Sequence, residues 1–385
     1  MGRGAIFMKL KPFFAILLAV IFCMPVITTT ALSEEEITAP SAVLMDANSG
    51  KILFEKNLHD QRPCASITKV MTLTLVLEAV DSGKIHMDDV VTTSAHAASM
   101  GGSDIWLEEG EQMTVDEMIK ATAVASANDA AVALAEFVSG SEDDFVAAMN
   151  EKAKALGMNE TTFKNCNGLD EEGHVTSAYD VAVMSRELMK HEQIFDYTNI
   201  WLDTLRGGET QIVNTNKLLR TYDGITGLKT GTTGDAGACI SATAERDGLS
   251  LIGVVLGASS GKERFRDAAA LLDYGFANYQ TKELHLDGEL DPLSVTGGMQ
   301  DQVKLSCGDT AYLTVPKGEG EGVESAVDLP ESVEAPVHKG DPLGKLHFTA
   351  NGAELATFDI LADEDVEKKD FGSIMGLLLR SLARL

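Results

Sequence analysis

The sequence is poor in basic residues, cysteine and long apolar runs, and each shortage excludes some classes of function. Its 385 residues include 31 Lys and Arg against 59 Asp and Glu, which gives a formal net charge of −28. A surface this acidic repels nucleic acid, so nucleic acid is excluded as a partner. The sequence also contains no internal repeats.

Cysteine is scarce and scattered. Cys64, Cys166, Cys239 and Cys307 form no CxxC pair, and no His-rich metal spacing accompanies them. Neither a metal nor another cofactor is therefore expected. An exported chain could form a disulfide, but we favour buried free thiols.

The only long apolar run lies near the start of the chain. Basic residues precede the run from Phe13 to Ile27, and small or polar residues follow it up to Ser33. The run is about 15 residues long, shorter than the roughly 20 that a membrane-spanning helix needs. Residues 1–33 are therefore predicted to be a secretory signal peptide, with a retained anchor as the alternative.

The remainder is long enough for two domains, and its patterns predict an α+β fold in the first, residues 34–282. A β-hairpin is predicted over 42–56, turning at Asn48-Ser49-Gly50. Helical periodicity predicts helices over 66–80, 114–125, 129–138, 143–156 and 177–190. Further strands are predicted over 227–233, 239–245 and 250–257, with a closing helix over 264–279. Together these elements predict one antiparallel sheet flanked by a helical block.

The remaining sequence differs in character. Short strand-like runs between Gly, Pro and acidic turns predict a small β-rich domain over 283–362. Residues 363–385 are predicted to carry an amphipathic helix, because six apolar residues share one helical face: Phe371, Ile374, Met375, Leu378, Leu382 and Leu385. Such a helix either packs on the second domain or binds a membrane surface, and its terminal position favours the membrane.

Ser66 and Lys69 are the first pair of residues that suggest chemistry. Residues three apart share one helical face, so the hydroxyl of Ser66 and the amine of Lys69 can meet. A serine needs a neighbouring base to become a nucleophile, and lysine can serve if burial lowers its pKa. Alone, the pair also fits a helix-capping serine beside a surface lysine.

Ser126 and Asn128 form the second candidate group, in a loop between two predicted helices. The hydroxyl could relay a proton, and the carboxamide could hold a substrate peptide group. Serine and asparagine are also common loop formers, so this pair is weak evidence by itself.

Lys229-Thr230-Gly231 is the third group, on a predicted strand. The lysine and the threonine could bind a substrate carboxylate, and Gly231 would leave room for the substrate backbone. The next residue, Thr232, could offer its N–H to an oxyanion. The alternative is an ordinary edge strand with a solubilising lysine.

The three groups together form the set that penicillin-binding proteins and class A β-lactamases share. Over about residues 36–280 the chain resembles a low-molecular-mass penicillin-binding protein of the D-alanyl-D-alanine carboxypeptidase family, the S11 serine peptidases. The segments that carry the resemblance are Pro63–Thr72, Ser126–Ala130, Asn167–Asp170, His174–Asp180, Asn214–Leu219 and Asp223–Gly231. It also implies a β-lactamase/transpeptidase-like catalytic domain.

The resemblance implies a role for each catalytic residue. Ser66 attacks the carbonyl between the two terminal D-alanines of a peptidoglycan stem peptide, and Lys69 takes its proton. Ser126, assisted by Lys229, passes a proton to the leaving D-alanine. β-Lactams acylate the same serine and act as inhibitors.

The resemblance also implies a substrate-binding set. Asn128 holds the donor peptide, Lys229 and Thr230 bind the carboxylate, and the N–H groups of Thr232 and Ser66 form the oxyanion hole. Two further residues are candidates: Arg264 as a carboxylate contact, and His174 either as an ordering residue for deacylation or as a solvated loop histidine.

The three groups also fit other functions. A class A β-lactamase needs, in addition, a glutamate in a Glu-x-x-Leu-Asn context, and no such string lies between Asn128 and Lys229. A D,D-endopeptidase that cuts cross-links and a non-catalytic penicillin-binding sensor both stay open. The expected location is the outer face of the cytoplasmic membrane.

Overall fold

The computed structural model describes residues 32–284, 290–307, 311–319, 322–350, 352–372 and 375. The predicted signal peptide and most of the predicted terminal helix lie outside these ranges.

The first domain contains nine strands and eight α-helices among its described residues. Its strands are β1 (Ser41–Asp46), β2 (Ile52–Lys56), β3 (Val90–Thr92), β4 (Gln112–Thr114), β5 (Leu202–Leu205), β6 (Thr210–Val213), β7 (Ile225–Thr233), β8 (Gly237–Arg246) and β9 (Leu249–Ala258). Its α-helices are α1 (Lys69–Asp81), α2 (Ala95–Ala98), α3 (Val115–Lys120), α4 (Asn128–Ser139), α5 (Glu142–Ala155), α6 (Ala178–Met189), α7 (Phe195–Thr198) and α8 (Gly261–Asn278).

Five of these strands form one antiparallel sheet in the order β2-β1-β9-β8-β7. The predicted hairpin over β1–β2 and the predicted strands at β7, β8 and β9 are confirmed. Successive side chains of a strand point to opposite faces, and both faces of β1 are buried. Val43 and Met45 pack in the core shared with the helical block, whereas Ala42 and Leu44 pack in the core shared with α8. The sheet therefore lies between two helical layers.

Side-chain caps fix where several helices begin. Thr114 accepts a hydrogen bond from the backbone N–H of Glu117, and the carboxylate of Glu117 accepts one from the backbone N–H of Thr114. Ser177 caps α6 through the N–H of Asp180. The short hairpins β3–β4 and β5–β6 were not predicted, because strands of three or four residues show too little alternation.

The predicted helix over 66–80 is wrong at its start. Residues Ala65–Thr68 form a 3₁₀ turn, here called the nucleophile turn, and α1 begins only at Lys69. Ala65, one residue before the predicted helix, has a positive φ of 51°, so no regular helix extends back through it. The predicted helix over 114–125 likewise changes, because α3 passes into a π-helical turn over Ala121–Ala125.

The second domain is built from strands and has its own core. Its strands are β10 (Tyr279–Leu284), β11 (Leu293–Thr296), β12 (Gln302–Val303), β13 (Leu305–Ser306), β14 (Ala311–Pro316), β15 (Glu324–Asp328), β16 (Ser332–Glu334), β17 (Pro342–Ala350) and β18 (Ala353–Ala362). The largest sheet has the order β13-β18-β17-β15. Strand β10 crosses the predicted boundary at residue 282, because it follows α8 directly and pairs with β14.

The second domain extends beyond the predicted limit at residue 362. Val366 pairs with Val337 and is 1% exposed, and Lys368 pairs with Gly298. An amphipathic helix beginning at residue 363 is therefore wrong, since the chain is still extended on the sheet up to residue 368. No helix within the described ranges is long and apolar enough to cross a membrane.

Candidate active site

Ser66 lies in the nucleophile turn, directly before the first turn of α1. Lys69 follows three residues later and is fully buried. The Nζ of Lys69 donates a hydrogen bond to the Oγ of Ser66 at 3.0 Å. The predicted meeting of the two side chains is confirmed, although a 3₁₀ turn rather than an α-helix brings them together.

Two further acceptors hold the Lys69 amine in place. Its Nζ donates to the Oδ1 of Asn128 and to the main-chain carbonyl of Asn167, both at 2.6 Å. Burial lowers the pKa of Lys69 to about 7, because the charged amine loses its water. Since both flanking acceptors are uncharged, they orient the amine without restoring its positive charge. Lys69 can therefore act as a base near neutral pH.

Ser126 follows the π-helical turn and adopts a left-handed backbone with φ of 63°. Its Oγ accepts a hydrogen bond from the Nζ of Lys229 at 2.8 Å. Burial, with the nearby cations Lys69 and Arg264, lowers the pKa of Lys229 well below its usual range. Because Lys229 supplies the donor in this contact, the hydroxyl proton of Ser126 is available for a partner in the groove.

Strand β7 carries Lys229 to Thr232 along the edge of the sheet and packs against the nucleophile turn. A Cβ atom on Gly231 would lie 2.6 Å from the carbonyl oxygen of Cys64 and 2.9 Å from the nitrogen of Ser66. Gly231 is therefore required because the nucleophile turn approaches the strand closely. The sequence alone instead predicts that the glycine leaves room for the substrate backbone.

Thr215 is a site residue that motif reasoning did not single out. Its Oγ1 accepts a hydrogen bond from the Oγ1 of Thr230 at 2.6 Å. The flanking Asn214 and Asn216 are buried, and the amide of Asn216 donates to the carbonyl of Gly227 on β7. Only the resemblance to the family marked this segment, because the contact joins β7 to a separate segment 15 residues earlier and has no local sequence signal.

Arg264 lies in the first turn of α8, behind β7. Its Nη1 donates to the carbonyl of Gly231 and to the Oγ1 of Thr232, both at 3.0 Å, and to the carbonyl of Cys239 at 3.2 Å. These bonds support the strand that faces the nucleophile. A direct contact between Arg264 and a substrate carboxylate stays a prediction.

His174 is buried, so the expectation of a solvated loop histidine is wrong. Its Nδ1 accepts the N–H of Lys164 at 3.2 Å, which leaves Nε2 to donate to the Oγ1 of Thr68 at 2.8 Å. Burial lowers the pKa of His174 to about 4, so the ring is neutral at physiological pH. Through its hydrogen bond to Thr68, the histidine supports the nucleophile turn.

The four cysteines of the described residues are free thiols. Cys64, Cys166 and Cys239 are buried, as the sequence suggested, and Cys307 is half-buried. Burial raises the pKa of Cys64 to about 12. In the described residues, no group of three or more His, Cys, Asp or Glu side chains is placed to bind a metal.

The hydroxyl of Ser66 contacts one buried lysine, the hydroxyl of Ser126 contacts another, and Asn128 joins the two groups through Lys69. Such a site suits a hydrolase that works by acyl transfer. Residues 28–260 match the family model described as D-alanyl-D-alanine carboxypeptidase. The chain belongs to this family of serine peptidases. Residues 279–368 match the C-terminal domain of penicillin-binding protein 5, so the predicted β-rich second domain is confirmed.

Two relatives of this chain are D-alanyl-D-alanine carboxypeptidases. The chain is 44% identical over 348 residues to the D-alanyl-D-alanine carboxypeptidase DacF of Bacillus subtilis, with 89% of each chain covered. It is 33% identical over 357 residues to the D-alanyl-D-alanine carboxypeptidase DacC of Escherichia coli, again with 89% of each covered.

One solved structure matches most of the chain, and another matches a smaller part of it. Penicillin-binding protein 5 of Haemophilus influenzae superposes with a TM-score of 0.76 at 32% identity, covering 88% of this chain and all of that one. Penicillin-binding protein D2 of Listeria monocytogenes, solved in the ampicillin-bound form, has a TM-score of 0.55 at 34% identity. It covers 62% of this chain, and 97% of its own chain is matched.

Proposed function

We propose that this carboxypeptidase removes the terminal D-alanine from peptidoglycan stem peptides through an acyl-enzyme on Ser66. The contact between Lys69 and Ser66 carries the proposal, because it places a base of pKa about 7 beside the hydroxyl. General-base assistance of this kind contributes roughly 10²- to 10⁴-fold to a rate.

Acylation begins when the neutral amine of Lys69 accepts the proton of Ser66. The Oγ of Ser66 then forms a bond to the carbonyl carbon between the two D-alanines. The negative charge that develops on the carbonyl oxygen is stabilised by the N–H groups of Ser66 and Thr232. As the carbon–nitrogen bond breaks, Ser126 gives its proton to the leaving amine and regains one from Lys229.

The substrate is held at both sides of the scissile bond. Lys229 and Thr230 bind the C-terminal carboxylate, whose negative charge favours the protonated form of Lys229. Asn128 binds the peptide group upstream. Water then attacks the ester carbonyl and gives up a proton to Lys229 through Ser126. Protonated Lys69 returns its proton to the Oγ of Ser66 as the ester bond breaks, and the shortened peptide leaves. A β-lactam enters the same route but leaves its acyl group on Ser66 for longer.

Mass spectrometry tests this function directly. After incubation with benzylpenicillin, the proteolytic peptide containing Ser66 is expected to gain the mass of the intact drug. The purified enzyme is also expected to release D-alanine from an Nα,Nε-diacetyl-lysyl-D-Ala-D-Ala peptide. A label on another residue would overturn the role of Ser66.

The same assays separate the competing functions. Rapid turnover of benzylpenicillin without a lasting adduct would identify a β-lactamase. Labelling without any D-alanine release would identify a penicillin-binding sensor. Cleavage of cross-linked dimers into monomeric peptides, without release of D-alanine from uncross-linked peptides, would identify an endopeptidase.

We also propose that the chain is exported and held at the outer face of the cytoplasmic membrane by its last residues. The run from Phe13 to Ile27 supports export, and its cleavage is checked by sequencing the N-terminus of the exported protein. Phe371 supports the attachment, because it is 80% exposed at the start of the apolar face.

A truncation tests the attachment. The purified chain starting at Glu34 is expected to sediment with vesicles of mixed zwitterionic and anionic phospholipid, and the same chain ending at Asp370 is expected to stay in solution. The cut follows Asp370 because Val366 is part of the second domain's core. Equal sedimentation of the two chains would overturn the proposed attachment.

A further inference from the structure

Trp106 is a large apolar side chain that the fold holds in solvent. The indole is 77% exposed, whereas its neighbours Ile105 and Leu107 are 2% and 4% exposed. The two neighbours anchor the loop in the core of the helical block. The loop is thus fixed on both sides of Trp106, and the indole projects outward from it.

A buried carboxylate imposes this arrangement. Asp129 is 1% exposed and accepts the backbone N–H of Ile105 at 3.1 Å and that of Leu107 at 3.0 Å. Trp106 between them has a positive φ of 55°, a conformation that bulky residues rarely adopt. Trp106 thus combines an unfavourable backbone conformation with an exposed indole. Strained residues of this kind cluster at functional sites, so we take the indole to be a binding group.

The same loop forms a wall of the proposed active site. The N–H of Asn128 donates to the carbonyl of Ser103 at 2.7 Å, and its amide Nδ2 donates to that of Gly101 at 2.6 Å. Trp106 follows Ser103 by three residues, so its backbone lies within about 11 Å of that contact. The backbone of Trp106 is thus held next to Asp129 and close to Asn128, the residue proposed to bind the peptide upstream of the scissile bond.

Charge identifies what the indole can bind. The sequence contains no Lys or Arg between Lys84 and Lys120, and Asp104, Glu108 and Glu109 surround Trp106 along the chain. An anionic sugar or peptide group is disfavoured in this setting. An aliphatic chain that ends in an ammonium group fits it, because the chain can pack on the indole and the cation is attracted by its face.

We infer that Trp106 recognises the amine-bearing side arm of the diamino acid that precedes D-Ala-D-Ala in the stem peptide. This inference rests on the proposed function and adds a selection for donor peptides whose side amine is free. A cross-linked or acylated side arm loses the positive charge and with it the attraction. Trp106 would therefore direct the enzyme to stem peptides that have not been cross-linked.

Three synthetic peptides test the inference: Nα-acetyl-lysyl-D-Ala-D-Ala, its Nε-acetylated form, and Nα-acetyl-alanyl-D-Ala-D-Ala. The measured quantity is the ratio of kcat/KM for the free-amine peptide to that for each of the others. Trp106→Ala is expected to lower this ratio about tenfold, and Trp106→Phe to keep most of it. Tyr312→Ala is the control, because it removes an exposed aromatic ring from the second domain.

Each outcome is decisive. A ratio that falls in Trp106→Ala but not in Tyr312→Ala supports the inference. An unchanged ratio, or an equal loss of kcat/KM for all three peptides, overturns it, since an equal loss shows only a disturbed loop. If the unaltered enzyme is labelled by benzylpenicillin but releases D-alanine from none of the peptides, the proposed function fails instead.

Discussion

Lys69→Gln is expected to slow the acylation of Ser66 by benzylpenicillin on the order of 10³-fold or more. Glutamine has a similar length and can still hydrogen-bond to Asn128, but it cannot accept the proton of Ser66. The measurement is the rate at which the drug's mass appears on the protein. Ser66→Ala gives the background signal of the assay, since it removes the attacking oxygen atom.

Lys51→Gln is the matched control, because Lys51 is an exposed lysine of the same domain. It is expected to be acylated at the rate of the unaltered enzyme. If Lys69→Gln were acylated as fast as this control, another residue would have to be the base.

The acylation rate should also depend on pH in a fixed direction. Because Lys69 must be neutral to accept a proton and burial lowers its pKa to about 7, the rate is expected to rise with pH through neutrality and then level off. A rate that stayed constant between about pH 5 and pH 9 would contradict this assignment of the base.

Gly168→Ala is expected to have the largest effect on stability. A Cβ atom on Gly168 would lie 2.0 Å from the carbonyl oxygen of Ala65 and 2.9 Å from the nitrogen of Ser66, and φ is +86°. Both contacts are with backbone, so the nucleophile turn itself must move. We expect a loss of roughly 2–4 kcal/mol in the free energy of unfolding and little remaining acylation.

Gly173→Ala separates backbone strain from collision. Gly173 also has a positive φ, of 81°, but its added Cβ would meet only the flexible end of Lys164 at 3.3 Å. Gly173→Ala is expected to lower the free energy of unfolding by about 1 kcal/mol, because only the left-handed backbone is unfavourable for alanine. Chemical denaturation and drug labelling of both variants measure the difference. Equal losses in the two variants would show that the collision with the nucleophile turn does not matter.

The sheet and the helical block could be predicted from local patterns. The turn residues Asn48-Ser49-Gly50 and the alternation on either side determine the first hairpin, and the caps Thr114 and Ser177 determine where two helices begin. These signals depend on neighbours in the sequence. For the same reason, Ser66, Lys69 and the other motif residues could be assembled into one site by order and type.

The features that could not be predicted depend on contacts between distant segments. The nucleophile turn takes the place of the first turn of a helix, and its backbone at Ala65 lies against Gly168 about a hundred residues downstream, a contact that no periodicity in the sequence reveals. The burial of His174 depends on Thr68 and Lys164, which lie on different segments. The hydrogen bond from Thr230 to Thr215 could not be predicted either, because it also joins two separate segments.

The placement of Ser66 between two glycines has a consequence for when the enzyme becomes active. One glycine belongs to the loop at Gly168, and the other to strand β7 at Gly231, both far downstream in the chain. Such contacts of high sequence separation form late, after the loops between them have closed. A chain still emerging during synthesis cannot have an assembled nucleophile. Catalysis is thereby postponed until the whole catalytic domain has folded.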